Sequence, residues 1–135
     1  MSTKSEPAFE TAPELVDVMD ELIEREPIFH RPEFGTTRTD FERMVVHDFW
    51  EIGASGRRYS RTFVLDNLEK RHSQPHEDVW EAKEFQCRQL GPNFYLLTYT
   101  LIQDTTRNTR RSTIWQYTEA GWKIVFHQGT IVETP

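Results

Sequence analysis

The sequence predicts a single α+β domain, because helical and strand patterns occupy different parts of the chain. Apolar residues recur at the helical period near the beginning, and two shorter helical segments follow. From Val79 onward the pattern changes to long β runs joined by short connections. Short connections pair neighbouring strands antiparallel, so we predict a sheet with the helices on one face. The domain is expected over residues 13–135, after a flexible leader at residues 1–12.

The first helix is predicted by one apolar stripe and by its ends. The stripe consists of Leu15, Val18, Met19, Leu22 and Ile23. Thr11 stands three residues before Glu14, which is the spacing of a capping box, and Pro27 should end the helix. The acidic residues from Glu14 to Glu26 are therefore expected on its outer, solvated face.

Two further helices are predicted on either side of a strand. Thr39 and Glu42 have capping-box spacing, and Ser60 is placed to cap the third helix. Between these helices, residues 49–54 are predicted to form a strand that ends at a Ser-Gly turn. The later strands are predicted at residues 79–90, 94–103, 109–118 and 122–132.

The last hairpin favours a three-residue loop with Gly121 in the left-handed conformation, since a two-residue loop would need a positive φ at Ala120. This register pairs Thr118 with Trp122, Trp115 with Val125, Thr113 with His127 and Arg111 with Gly129. Cross-strand partners share a face of the sheet. One face then carries Arg111, Thr113, Trp115 and His127, and the other carries Ile114, Trp122, Ile124 and Phe126.

The strand at residues 94–103 is apolar on both faces. One face carries Tyr95, Leu97, Tyr99 and Leu101, and the other carries Phe94, Leu96 and Ile102. Three helices can cover only one of these faces. We therefore predict a homodimer in which a second copy covers the other face of the sheet.

Charge and composition exclude several classes of partner. The 16 Lys and Arg residues against 22 Asp and Glu give a net charge of −6, which is the wrong sign for sequence-independent attraction to nucleic acid. No apolar run approaches the about 18 residues of a membrane span. The single Cys87 has no partner for an internal disulfide, so we expect a reducing, cytoplasmic location, with neither nucleic acid nor a membrane as partner.

Three segments carry a resemblance to a known family: DFWEIGASG at residues 48–56, RSTIW at 111–115 and FHQGT at 126–130. Together with the order of elements, they resemble the nuclear transport factor 2-like superfamily, especially its uncharacterised bacterial members related to ketosteroid isomerases and polyketide cyclases. The resemblance implies a cystatin-like α+β roll, in which a cone-shaped antiparallel sheet wraps around three N-terminal helices. It also implies a pocket and commonly a dimer, but no single activity, because this fold hosts enzymes and inert scaffolds alike.

The residues of ketosteroid isomerase chemistry are missing from the matching positions. The resemblance places the catalytic base two residues before Ser55, where this chain has Gly53. Residues 15–26 contain no Tyr, and residues 110–118 contain no Asp or Glu. The resemblance therefore does not imply steroid isomerisation.

Glu51, His127 and Arg111 are the candidate catalytic residues. Glu51 shares a strand face with Gly53, and the resemblance implies that this face borders the pocket, where a carboxylate suits general-base catalysis. His127 is the acid–base candidate among the histidines, and Arg111 suits a ligand carboxylate or phosphate. Each has a structural alternative: Glu51 is an exposed strand residue or the ion-pair partner of Arg111, and His127 is a hydrogen-bonded core residue.

The leading functional hypothesis is a pocket for a small organic molecule, in which Glu51 or His127 moves a proton. Its ligand-binding residues are predicted to be Trp50, Tyr99, Thr113 and Trp115. Isomerase, dehydratase and hydrolase remain open, and the alternative is a non-catalytic dimerisation scaffold. We predict no cofactor and no metal site, since His72 and His76 flank a loop rather than sharing a helix face.

Overall fold

The computed structural model describes residues 5–72 and 79–133. Within that part of the chain, three α-helices and six strands form the α+β architecture that the sequence predicts. The helices are α1 (Val16–Arg25), α2 (Arg38–Met44) and α3 (Arg61–His72). The strands are β1 (Val45–Ile52), β2 (Arg58–Ser60), β3 (Trp80–Gly91), β4 (Phe94–Gln103), β5 (Arg107–Thr118) and β6 (Gly121–Ile131).

The six strands form one sheet in the order β2-β1-β6-β5-β4-β3. The predicted meander from β3 to β6 is antiparallel throughout. Strand β1 runs antiparallel to β2 but parallel to β6. This parallel pairing joins strands that are distant in sequence, so neither the strand patterns nor the loop lengths predict it.

The chain enters α1 through a 3-10 turn at Pro13–Leu15, and the predicted capping box at Thr11 is wrong. No side chain caps this turn. The Thr11 hydroxyl instead accepts the backbone N–H of Cys87 at 3.1 Å. The segment before α1 is therefore held against β3.

The other two helices begin at side-chain caps. In α2 the capping box is formed by Thr37 and Asp40, two residues before the predicted pair. Helix α3 begins after Ser60 as predicted, because the Ser60 hydroxyl accepts the backbone N–H of Phe63 at 3.2 Å.

The β5–β6 hairpin contains a bulge that the predicted register lacks. Trp115 pairs with Ile124, whereas the preceding residue, Ile114, pairs with Phe126. Val125 is therefore the extra residue of β6. On the side of the bulge nearer the turn, every pair is offset by one residue from the prediction.

The bulge changes which side chains share a face. The predicted pairs Thr113–His127 and Arg111–Gly129 are confirmed, whereas Thr118 pairs with Gly121 and not with Trp122. Ile124 is 1% exposed and Trp122 packs against the core. Their predicted position on the face opposite Trp115 is thus wrong.

The two faces of the sheet differ in burial. The face covered by the helices, called the inner face below, carries the largest buried side chains of the strands: Phe49, Leu97, Leu101, Trp115 and Ile124. Leu22 of α1, Phe41 of α2 and Leu65 of α3 complete this core. The opposite, outer face includes Trp50, which is 42% exposed. Among the described residues, no helix is both long enough and apolar enough to cross a membrane.

Candidate functional site

A cavity of about 760 Å³ is bordered by α3 and by the inner-face residues of β1, β5 and β6. Its volume lies within the roughly 300–1,000 Å³ of small-molecule sites. Glu51, Arg111 and His127 all line it. The structure thus brings the three predicted catalytic residues to one cavity.

Glu51 and His127 form a hydrogen-bonded pair in the cavity wall. They stand opposite each other in the parallel β1–β6 pairing, and His127 Nδ1 lies 3.1 Å from Glu51 Oε2. The side chains of His127 and Glu51 are 10% and 20% exposed, so the pair is largely shielded from water. A carboxylate acceptor favours the imidazole tautomer with its proton on Nδ1, which leaves Nε2 as the basic nitrogen.

Arg111 does not form the predicted ion pair with Glu51, whose carboxylate binds His127 instead. Arg111 Nε donates to the Thr109 hydroxyl at 3.1 Å, and Arg111 Nη2 donates to Gln103 Oε1 at 3.3 Å. Arg107 Nη1 donates to the same Gln103 oxygen at 2.8 Å. Two guanidinium groups therefore converge on one neutral acceptor at the cavity.

An aromatic wall lies beside the turn that follows β1. An ideal Cβ on Gly53 would lie 2.7 Å from Tyr59 Cε2, so the Tyr59 ring fills the space next to this glycine. Tyr59 stacks on Phe63 with ring centroids 4.8 Å apart and planes at 10°. Both rings line the cavity. A ring therefore occupies the place where the resemblance puts the base of ketosteroid isomerases.

The four predicted ligand-binding residues lie outside the described wall of the cavity. Trp50 is on the outer face, with its ring 4.9 Å from that of Phe126, because neighbouring residues of a strand point to opposite faces and Glu51 points inward. Tyr99 and Trp115 are core residues, 3% and 1% exposed. The aromatic surface of the cavity comes instead from other residues, among them Tyr59 and Phe63.

Thr113 is fully buried beside the site. It pairs with His127 across β5 and β6 and is 0% exposed. Its hydroxyl makes no hydrogen bond to any residue of the described chain. Thr113 therefore lies beside His127 on the inner face, but outside the described cavity wall.

Tyr99 and Trp115 bind the buried carboxyl group of Glu26. Tyr99 Oη donates to Oε2 at 2.8 Å, and Trp115 Nε1 donates to Oε1 at 3.2 Å. The backbone N–H of Ile28 lies 3.3 Å from Oε2. Glu26 is 2% exposed, so its predicted position on a solvated helix face is wrong. The cause is local: α1 ends at Arg25, and the extended backbone of Glu26 leaves the helix direction.

The cavity also has lining residues that are not among the sequence-predicted site residues: Tyr59, Phe63, Gln103 and Arg107. Strand alternation already places Gln103 on the face of Tyr99 and Leu101, and this pattern was sufficient to find it. Arg107 falls between the predicted strands at residues 94–103 and 109–118, whereas in the structure it is the first residue of β5 and pairs with Gln103.

Metal-ligating side chains do not cluster in the described chain. Across residues 5–72 and 79–133, no three His, Cys, Asp or Glu side chains are grouped to hold a metal ion. The His72 ring packs at 5.3 Å from that of Phe41, with a ring nitrogen 3.2 Å from the Phe29 carbonyl oxygen. His76 lies outside the described residues.

Solved structures with the same fold are similar to the chain over most of its length. An NTF2-like protein from Cytophaga hutchinsonii has a TM-score of 0.68 at 10% identity, over 86% of this chain and 97% of that one. A protein with a cystatin-like fold from Caulobacter vibrioides has a TM-score of 0.67 at 18% identity, over 89% and 91%. A candidate ketosteroid isomerase from Parabacteroides distasonis has a TM-score of 0.66 at 14% identity, over 93% and 96%.

The chain therefore has the nuclear transport factor 2-like, or cystatin-like, fold that the sequence resemblance implies. No protein-family model matches the sequence, and no curated protein matches it. At such low identities the likeness is one of fold, and the site has to be interpreted from its own geometry.

Proposed function

We propose that the cavity binds a small organic molecule and that the Glu51–His127 pair moves a proton to or from it. The observation that carries this proposal is the 3.1 Å contact between a carboxylate and an imidazole in the wall of one cavity. Glu51 orients the ring and stabilises the imidazolium that forms when His127 Nε2 takes a proton. Arg111 supplies positive charge for the negative charge that develops on the ligand.

The reaction class that fits these groups best is proton abstraction from a carbon next to a carbonyl group. This step needs a base, a cation near the developing enolate and shielding from water. The paired His127 is the base and the guanidinium of Arg111 is the cation. Shielding comes from the burial of the Glu51–His127 pair, whose side chains are 20% and 10% exposed. Isomerases and dehydratases share this step, whereas a hydrolase uses the same base to activate water.

The test is solvent exchange of a substrate proton. The protein is incubated in D₂O with a panel of small ketones and keto acids, and loss of the C–H signal is followed by NMR. We expect exchange with the wild type and a loss of at least 100-fold in Glu51→Gln and His127→Asn, since general-base catalysis contributes about 10²–10⁴-fold.

The matched controls are His47→Asn and Asp48→Asn, which make the same kinds of change at exposed positions of β1. These variants should exchange at the wild-type rate. Equal rates in all four variants would contradict the proposed role of the pair. Native mass spectrometry of freshly purified protein, which detects a co-purified small molecule, gives an independent route to the ligand.

A second candidate function is association, supported by the outer face of the sheet. Trp50, Phe126, Ile114 and Leu96 are successive cross-strand partners in β1, β6, β5 and β4 and so form one apolar row. Trp50 exposes 42% of its surface in the single chain. We propose that a second copy covers this row, as apolar faces on both sides of β4 predict.

Sedimentation equilibrium tests the dimer. We expect twice the mass of the 16.1 kDa chain for the wild type and a monomer for Trp50→Glu. Leu90→Glu is the control, because Leu90 is 52% exposed on β3 and lies outside the row. A wild-type monomer at high concentration would exclude both the dimer and the scaffold function.

A further inference from the structure

We propose that Arg107, Gln103 and Arg111 form a carboxylate-binding subsite, and that the ligand is a small organic acid with a planar apolar group. The ligand class is that of the cavity described above. Its role as a substrate rests on the proposed function. Its binding test, however, needs no turnover.

The subsite is built by the β4–β5 hairpin. Gln103 and Arg107 are cross-strand partners at the end of the hairpin, and Arg111 extends past Thr109 to reach the same Gln103 oxygen. The amide oxygen holds both guanidinium groups, at 2.8 and 3.3 Å, without neutralising either charge. Each guanidinium has five N–H donors, so both retain donors for a ligand.

Neither guanidinium has an acidic partner in the described chain. The only side-chain acceptors within hydrogen-bonding distance of Arg107 and Arg111 there are the Gln103 amide and the Thr109 hydroxyl. By contrast, Arg110 on the outer face contacts Glu84 at 3.0 Å. Two adjacent positive charges on a neutral acceptor repel each other, and an oxyanion between them relieves that repulsion.

The charge of the cavity is opposite to that of the whole chain. Arg107 and Arg111 line it without an acidic partner in the described chain, and Glu51 is the one carboxylate among its described lining residues. The chain as a whole carries a net charge of −6. A cationic cleft in an acidic protein concentrates anions locally, whatever the sign of the overall charge.

The apolar part of the cavity decides between a carboxylate and inorganic phosphate. Both anions match the fork of a guanidinium group. Inorganic phosphate, however, carries no organic group to place against the Tyr59 and Phe63 rings, whereas an organic acid does.

The aromatic wall specifies the rest of the ligand. Tyr59 and Phe63 present parallel stacked rings to the same cavity, and Phe63 is 48% exposed. An exposed aromatic ring at a cavity gains contact area from a planar apolar ligand group. A carboxylate at the Arg107–Arg111 end and a flat ring at the aromatic wall describe an aryl-substituted acid.

The experiment is calorimetric titration at low ionic strength with phenylacetate, its neutral isostere phenylacetamide, and inorganic phosphate. We expect phenylacetate to bind at least ten times more tightly than either of the other two. Arg107→Met and Arg111→Met should each weaken phenylacetate binding about tenfold, because each removes a charge-assisted hydrogen bond. Arg88→Met removes the same charge from an exposed position on β3 and should leave the affinity unchanged.

Three results would overturn the inference: equal affinity for phenylacetate and phenylacetamide, tighter binding of phosphate, or an Arg88→Met effect as large as that of Arg107→Met. Glu51→Gln separates this inference from the proposed function. It should abolish proton exchange but keep or strengthen phenylacetate binding, since it removes the repelling carboxylate. Acid binding without any exchange activity would leave the subsite standing and refute catalysis.

Discussion

The ring of Tyr59 lies against the backbone of Gly53, with Cε2 at 2.7 Å from where a Cβ on Gly53 would stand. A residue with a side chain at position 53 therefore has to displace the ring. Tyr59 also stacks on Phe63 of α3, so the glycine fixes the position of the whole aromatic wall.

Gly53→Ala is expected to destabilise the protein by about 1–3 kcal/mol, the usual cost of overpacking. The measurement is urea unfolding of the variant and of Gly91→Ala, whose added Cβ would meet no atom within 4 Å. The cost should shrink in a Tyr59→Leu background, because the ring is then gone. An equal cost with and without the Tyr59 ring would show that the contact is not its cause.

Tyr99→Phe is expected to lower the free energy of unfolding by about 1–3 kcal/mol, because it removes a donor from the buried carboxyl group of Glu26. Tyr117→Phe is the control, since Tyr117 is 48% exposed and makes no contact with Glu26 in the described chain. The free energies come from urea unfolding at neutral pH. Indistinguishable values for the two variants would contradict the role of the Glu26 cluster.

The stability of the protein should fall with rising pH in the alkaline range. Burial, and then the neighbouring Glu26 carboxyl, raise the pKa of Tyr99 well above its ordinary value of 10.0. The unfolded chain therefore loses this proton first, so the contribution of Tyr99 is complete below about pH 10 and is lost above it. Thermal unfolding from pH 8 to 11 should show a steeper decline in the wild type than in Tyr99→Phe. Parallel curves would contradict this linkage.

Thr113→Val is expected to raise the free energy of unfolding by about 1 kcal/mol, because the buried Thr113 hydroxyl has no hydrogen-bond partner in the described chain. Affinity for phenylacetate should not change, since Thr113 lies outside the described cavity wall. A loss of affinity in this variant would instead return Thr113 to the ligand site that the sequence predicts.

Much of the fold follows from local patterns. The alternation of β4 places Leu97, Tyr99 and Leu101 on one face of the strand, and all three are buried in the structure. Ser60 predicts the start of α3, because a hydroxyl at that position satisfies a free backbone N–H. Such features depend on neighbours in sequence, which is why the sequence is sufficient for them.

The candidate site depends on contacts that local patterns do not contain. Glu51 and His127 are 76 residues apart and meet only because β1 pairs in parallel with β6. Glu26 belongs to the run of acidic residues that predicts a solvated helix face. The helix ends one residue earlier, however, and the carboxyl group of Glu26 enters the core. The bulge at Val125 reverses the faces of its neighbours, which a strict period of two does not predict.

The central claim is that a small organic acid binds beside the Glu51–His127 pair, and imidazole NMR of His127 tests it most directly. The His127 signals are assigned by their loss in His127→Asn, and phenylacetate is then added to the wild type. We predict that the His127 signals shift in a saturable way while those of exposed His47 do not, and that Arg107→Met reduces the response. Saturable binding of phenylacetate that leaves the His127 signals unmoved would contradict the account.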